Sequence, residues 1–230
     1  MLDDANPLPC VEKVRLSGVI LAGGQSRRMG GSPKALLTVH QETLIQRQIR
    51  ILKQLCTEII LVTNEPKTYL PIVDSEVRII TDYYAGQGPL AGMHAGLSLA
   101  QHEDVWVVGC DMPYLSIQAA MLMIGRKHDR GSDAVVPFIG EKHHPLHGIY
   151  DKRCADLIAA MLDGGQRRVN AFLDQIAYET VNAWTFERWG IDTRFVFNMN
   201  TPQQYEQLLS MEKETEEGSA VGSSHRSQSE

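Results

Sequence analysis

Residues 16–34 read Leu16-Ser17-Gly18-Val19-Ile20-Leu21-Ala22-Gly23-Gly24-Gln25-Ser26-Arg27-Arg28-Met29-Gly30-Gly31-Ser32-Pro33-Lys34. The apolar run to Leu21 has the character of a buried strand. From Leu21 to Lys34 there follow four glycines, two arginines and a lysine, with no carboxylate. Glycine lets a backbone approach a ligand closely and turn its amides inward, as an anion requires. Arginine and lysine add charge-assisted hydrogen bonds of about 1.5–3 kcal/mol each. Between Lys13 and Gln41 the only charges are Lys13, Arg15, Arg27, Arg28 and Lys34, in a chain of net charge −6. That local segregation of sign favours capture of a polyphosphate at the end of the first strand over a merely solvated loop.

The loop is neither of two common phosphate binders. A Walker A loop needs Gly five residues after its first, where this chain has Arg28 or Met29, and Ser or Thr after the lysine, where it has Ala35. The Gly-x-Gly-x-x-Gly dinucleotide fingerprint is also missing.

Working outward, Leu44, Ile45, Ile49, Leu52 and Leu55 recur at helical spacing. Strands are expected at 58–64 and 77–81, then a helix opened by Pro89, whose Ala91, Gly92, Ala95 and Gly96 allow close packing on a sheet. Val105-Trp106-Val107-Val108-Gly109 is the strongest strand, closed by Cys110-Asp111-Met112-Pro113. Helices at 116–127, 151–163 and 168–174 and strands at 133–138, 146–150, 176–181 and 195–198 are expected next. A capping box at Thr201-Pro202-Gln203-Gln204 starts a helix through Leu209. Residues 1–14 read as an irregular leader, 15–210 as a single domain, and 211–230 as a disordered tail. Strand–helix alternation implies a three-layer α/β/α fold with a mostly parallel, Rossmann-like sheet, whose ligands sit beyond the carboxyl ends of the strands.

The glycine loop, Asn64, Asp82 and Asp111 each follow a strand, so four polar features converge on one edge. A carboxylate beside a triphosphate repels it unless a cation intervenes, which makes Asp111 a candidate Mg2+ ligand; capping of the turn before Pro113 is the alternative. Asp82 is read as a nucleotide acceptor or an Asx-turn, Asn64 as a base contact or a strand end. Gly88 opens a helix and would let a flat base approach. Arg167 and Arg168 suit a second anion or solvent. In His143-His144-Pro145-Leu146-His147 the proline blocks a helical ligand pair and no Cys or carboxylate stands at ligand spacing, so zinc is not expected.

With 230 residues, 43% hydrophobic and 22% charged, the composition is that of an ordinary soluble domain. A pI near 5.8 argues against non-specific nucleic-acid binding. No apolar run approaches the roughly 18 residues of a membrane span, and the acidic opening lacks the apolar core of a signal peptide. Cys10, Cys56, Cys110 and Cys154 are scattered, which suggests free thiols in a reducing cytoplasm.

Leu21-Ala22-Gly23-Gly24 through Lys34, Gly88-Pro89-Leu90-Ala91-Gly92, Cys110-Asp111-Met112-Pro113-Tyr114, His144-Pro145, Arg167-Arg168-Val169 and Asn198-Met199-Asn200-Thr201-Pro202 occur in that order. This ordered set resembles the molybdenum cofactor guanylyltransferase (MobA) family of the nucleotidyltransferase superfamily, across about residues 15–210. The resemblance implies that the terminal phosphate of molybdenum-loaded molybdopterin attacks the α-phosphorus of GTP, releasing pyrophosphate and forming the guanine dinucleotide cofactor. It implies that Leu21, Ala22, Gly23, Gly24, Lys34, Asn64, Asp82, Gly88 and Asp111 bind the nucleotide and that Asp111 holds Mg2+. Lys34, Asp111 and Arg28 would serve catalysis, and Arg167, Arg168, Asn198 and Asn200 the molybdopterin side. Molybdenum-insertion proteins and molybdoenzymes are the implied protein partners, with no nucleic acid and no membrane. The chain departs from the family at Pro33, where many members have Asp. A cytidylyl- or sugar-phosphate nucleotidyltransferase shares the first loop, and a non-catalytic nucleotide-binding protein is the reading from another class.

Overall fold

Along the computed structural model, which describes residues 13–23, 33–39 and 41–223, the elements begin with β1 (Val14–Leu21), a 3-10 turn at Lys34–Leu36, β2 (Thr38–Val39), β3 (Glu42–Thr43) and α1 (Leu44–Leu55). Then come β4 (Cys56–Val62), α2 (Pro66–Tyr69), β5 (Arg78–Ile80), α3 (Pro89–Leu99), β6 (Asp104–Gly109) and α4 (Ile117–Arg130). The second half adds β7 (Ala134–Ile139), β8 (Lys142–His143), β9 (His147–Asp151), α5 (Cys154–Asp163), α6 (Val169–Leu173), β10 (Tyr178–Asn182), α7 (Ala183–Arg188), a 3-10 turn at Thr193–Val196 and α8 (Pro202–Ser223). Most of the leader, Gly24 and Arg28 lie outside the described residues.

β1 is the axis of the sheet because both of its edges are paired and its last six residues are buried. The strand order is β10-β7-β9-β6-β1-β4-β5, with β8 added on β7. From β6 to β5 all neighbours are parallel, whereas β9 runs antiparallel to both β6 and β7. Side chains alternate across the strand. Leu16 and Ile20 therefore join Trp106, Val108 and the α1 and α4 faces in one core, while Val19 and Leu21 join Ile60, Val107, α3 and α5 in the other. These are the three layers expected, with a mostly parallel sheet between them.

α3 lies close on β1 because of its small residues: a Cβ placed on Gly96 would come within 2.5 Å of Val19 Cγ1, and one on Gly92 within 3.2 Å of Leu21 Cδ2. Thr43 caps α1 in a full capping box with Gln46, and Gly131 ends α4 in the left-handed conformation.

Two expectations are corrected. The strand expected at 195–198 is replaced by the helical turn Thr193–Val196, opened by Asp192 Oδ1 accepting from the Arg194 amide at 2.8 Å. Its apolar residues are buried through Phe195, which meets the Phe186 ring edge-on with centroids 4.9 Å apart, and burial alone does not specify extended backbone. α8 does not stop at Leu209 but continues to Ser223. The Glu- and Lys-containing sequence beyond Leu209 favours helix although it lacks an apolar stripe, and the Arg47 guanidinium fork grips Glu212 with two 3.0 Å hydrogen bonds.

Candidate active site

Ile80, Val62, Leu21 and Gly109 stand in register across four parallel strands. Two residues beyond that row come Asp82, Asn64, Gly23 and Asp111 in the same order. With strands about 4.8 Å apart the row is roughly 14 Å long, so one strand edge presents an extended line of polar groups.

At one end of the line Asn64 Nδ2 donates to Asp82 Oδ2 at 3.0 Å. A Cβ on Gly23 would lie 3.9 Å from both of those atoms, so the bare backbone at this position borders the pair directly. The ladder continues beneath, with Ala22 N–H donating to the Val62 carbonyl at 2.8 Å and Thr63 N–H to Ile80 at 2.9 Å. Asp82 Oδ1 is buried and among the described residues has no hydrogen-bond partner. Gly88, with φ +81° and ψ −167°, makes the sharp entry into α3 ahead of Pro89, a conformation that a side chain would strain.

At the other end Lys34 Nζ donates to Asn200 Oδ1 at 2.7 Å, and the next backbone amide back, Met199 N–H, donates to the Asp111 carbonyl at 2.8 Å. Residues 199 and 200 thus hold the lysine and the aspartate side by side. Burial pushes the Asp111 carboxyl up from its ordinary pKa, opposed by the Lys34 charge and by the residue's own backbone N–H. Among the described residues its carboxylate has no side-chain hydrogen-bond donor. Asp111 rides on a tight turn in which Met112 N–H reaches the Gly109 carbonyl at 3.3 Å. A Cβ on Gly109 would sit 2.8 Å from Asp111 Oδ1, so this turn accepts only glycine there without a shift.

The molybdopterin-side expectations divide. Asn200 joins the Lys34–Asp111 cluster, whereas among the described residues Asn198, Arg167 and Arg168 make no hydrogen bond or ion pair with it. Arg167 and Arg168 follow α5, where their backbone amides both donate to Gln166 Oε1. The histidines serve packing. His147 is fully buried between the Trp106 and Phe195 rings, and burial lowers its pKa to about 3. His144 Nε2 pairs with the Ile139 carbonyl at 3.1 Å.

A family model described as the MobA-like NTP transferase domain matches residues 18–179. The chain belongs to this family. Its relatives include the molybdenum cofactor guanylyltransferase of Desulfosudis oleivorans, 32% identical over 83% of this chain and 93% of that protein. A Pelotomaculum thermopropionicum protein named probable molybdenum cofactor guanylyltransferase is 35% identical over 82% and 89%. Among solved structures, molybdopterin-guanine dinucleotide biosynthesis protein A from Archaeoglobus fulgidus superposes with a TM-score of 0.73 at 21% identity, covering 86% of this chain and 99% of that one.

As a MobA-like nucleotidyltransferase, the chain has one feature in the cluster that sequence reasoning missed. Gln48 of α1 is fully buried, and its Nε2 donates to the carbonyls of Gly109 and Met112, each at 2.8 Å. The available signal was its place on the buried stripe of α1, among Ile45, Ile49 and Leu52, where an amide needs partners. Among the described residues no helix is long and apolar enough to cross a membrane.

Proposed function

We propose that this chain transfers GMP from GTP to the terminal phosphate of molybdenum-loaded molybdopterin. An acceptor phosphate oxygen forms a bond to the α-phosphorus while the bond from that phosphorus to the β-bridging oxygen breaks, and pyrophosphate leaves with the electron pair. The observation that carries the proposal is the juxtaposition of Lys34 and Asp111 at the carboxyl end of β1 and β6, in a chain whose relatives bear the guanylyltransferase name over most of its length.

Lys34 would supply positive charge to the phosphates. The Asn64–Asp82 pair, with its unpartnered Oδ1, offers hydrogen-bond acceptors to a nucleoside, and guanine carries N–H donors that match. Asp111 fits a divalent cation: it is half-buried, has no side-chain donor among the described residues, and bears a charge its surroundings do not fully balance. Mg2+ commonly takes only one or two carboxylates and leaves its other positions to phosphate and water. When bound there it would offset the repulsion between Asp111 and the triphosphate and make the α-phosphorus more electrophilic. No side chain needs to act as covalent nucleophile, since alignment of two phosphates and charge neutralisation supply the rate. Arg28, Arg167, Arg168 and Asn198 are assigned by family resemblance alone, as is a cytoplasmic setting with molybdenum-insertion proteins and molybdoenzymes as partners.

The test is pyrophosphate release from GTP with Mg2+ and molybdenum-loaded molybdopterin, and absence of release rejects the proposal. CTP displacing a labelled GTP analogue on equal terms would remove the guanylyl assignment in favour of a broader nucleotidyltransferase.

A further inference from the structure

Asp111 can serve a cation only if its turn is held still, and the backbone of that turn is tied from several directions. Gly109 N–H donates to the Leu146 carbonyl at 3.0 Å, Cys110 N–H to Leu21 at 3.2 Å, and Met199 N–H to the Asp111 carbonyl at 2.8 Å. These are all backbone contacts. The remaining tie comes from the Gln48 side chain, whose single amide nitrogen bridges the first and last carbonyls of the turn, Gly109 and Met112. Its orientation is fixed by the partners, because two carbonyls can be satisfied only by the NH2 end of the amide.

The other end of the same amide is the telling part. Gln48 Oε1 is buried and among the described residues has no partner, so α1 carries an unsatisfied acceptor inside the core. Such a group destabilises a fold, and Met or Leu would fill this stripe position without it. We propose that Gln48 is a positioning residue for the metal-binding carboxylate: bridging Gly109 and Met112, it sets the turn from which Asp111 reaches the cation. The inference rests on the assignment of Asp111 as metal ligand made above.

The experiment uses the full chain and Mn2+ as spectroscopic probe, with GTP present and no acceptor. Free Mn2+ is followed by electron paramagnetic resonance, and GTP binding without metal by calorimetry in EDTA. Gln48→Met should weaken Mn2+ binding in the GTP complex about tenfold while metal-free GTP affinity stays within about twofold. Gln48→Asn, which keeps both donors one methylene short, should fall between the two and serves if Gln48→Met does not fold. Leu52→Val, a core truncation on the same helix, should leave Mn2+ affinity unchanged even where it lowers Tm. Unchanged Mn2+ affinity in both Gln48 variants overturns the proposal, as does an equal loss in Leu52→Val. A wild-type chain that binds GTP but no Mn2+ overturns the Asp111 assignment itself, and this proposal with it.

Discussion

At the scale of single residues the proposed site sets a cation, Lys34, beside a carboxylate, Asp111, whose charge is penalised by burial. Lys34→Ala should weaken GTP binding about ten- to hundredfold, the worth of one charge-assisted hydrogen bond; titration calorimetry checks it, and an unchanged affinity removes Lys34 from the site. Asp111 is the opposite case, since burial penalises its charge. Asp111→Asn should abolish metal-dependent turnover yet leave Tm unchanged or a few degrees higher, and a large fall in Tm would mean that the carboxylate is structural. His147 allows a pH prediction. Its folded pKa, about 3, lies below the ordinary 6.5, so the unfolded chain takes up a proton that the folded one refuses. The stability tied to this neutral histidine is complete above pH 6.5 and is lost as pH falls from there toward 3. At pH 4.5 the loss is about 2–3 kcal/mol. His147→Phe should therefore flatten the acid limb of urea-unfolding midpoints measured between pH 7 and 4.5; an unaltered limb would contradict it. Asp111, Asn64 and Asp82 stood out in the sequence because each follows a strand, and Lys34 because it closes a glycine-rich loop without a carboxylate. Gln48 was not, because a polar residue in a helix gives no sign of which distant carbonyls it meets.

Among the elements, α3 shows how a run of small residues translates into distance. Gly96→Ala should cost about 1–3 kcal/mol by overpacking against Val19, and Val19→Ala in the same chain should recover part of that loss, a non-additivity that a double-mutant cycle measures. Strictly additive losses would show that α3 is free to move away from β1. Most helices and strands followed from periodicity and caps, since α1, α3, β4 and β6 bury continuous or regularly spaced apolar residues. The failures came where sequence pattern and geometry part company. Phe195 is buried without being in a strand, and α8 is sustained past Leu209 by helix-forming residues and the grip of Arg47 rather than by an apolar face. Nor does alternation encode direction: nothing in His147–Asp151 announces that β9 runs against its neighbours.

For the molecule as a whole, the contacts that complete the site are made between distant parts of the chain. Arg47, only 11% exposed, joins α1 to α8 through Glu212, and the buried Met199 and Leu208 pack with Val39 and Leu44. Arg47→Ala should lower Tm by about 2–10 °C and weaken GTP binding with it, because α8 carries the segment that holds Lys34; thermal melts and calorimetry report both, and a full-affinity variant would detach α8 from the site. The union of Lys34 with Asn200, and of Asp111 with Met199, also has a consequence in time. At about 5–20 residues per second a ribosome needs roughly 4–18 s to pass from Asp111 to Asn200. For that interval a nascent polypeptide owns both charges but not the clasp that sets them side by side. Stalled ribosomes displaying chains that end before residue 199 should retain little labelled GTP, whereas chains extended past Asn200 and clear of the ribosome should retain it.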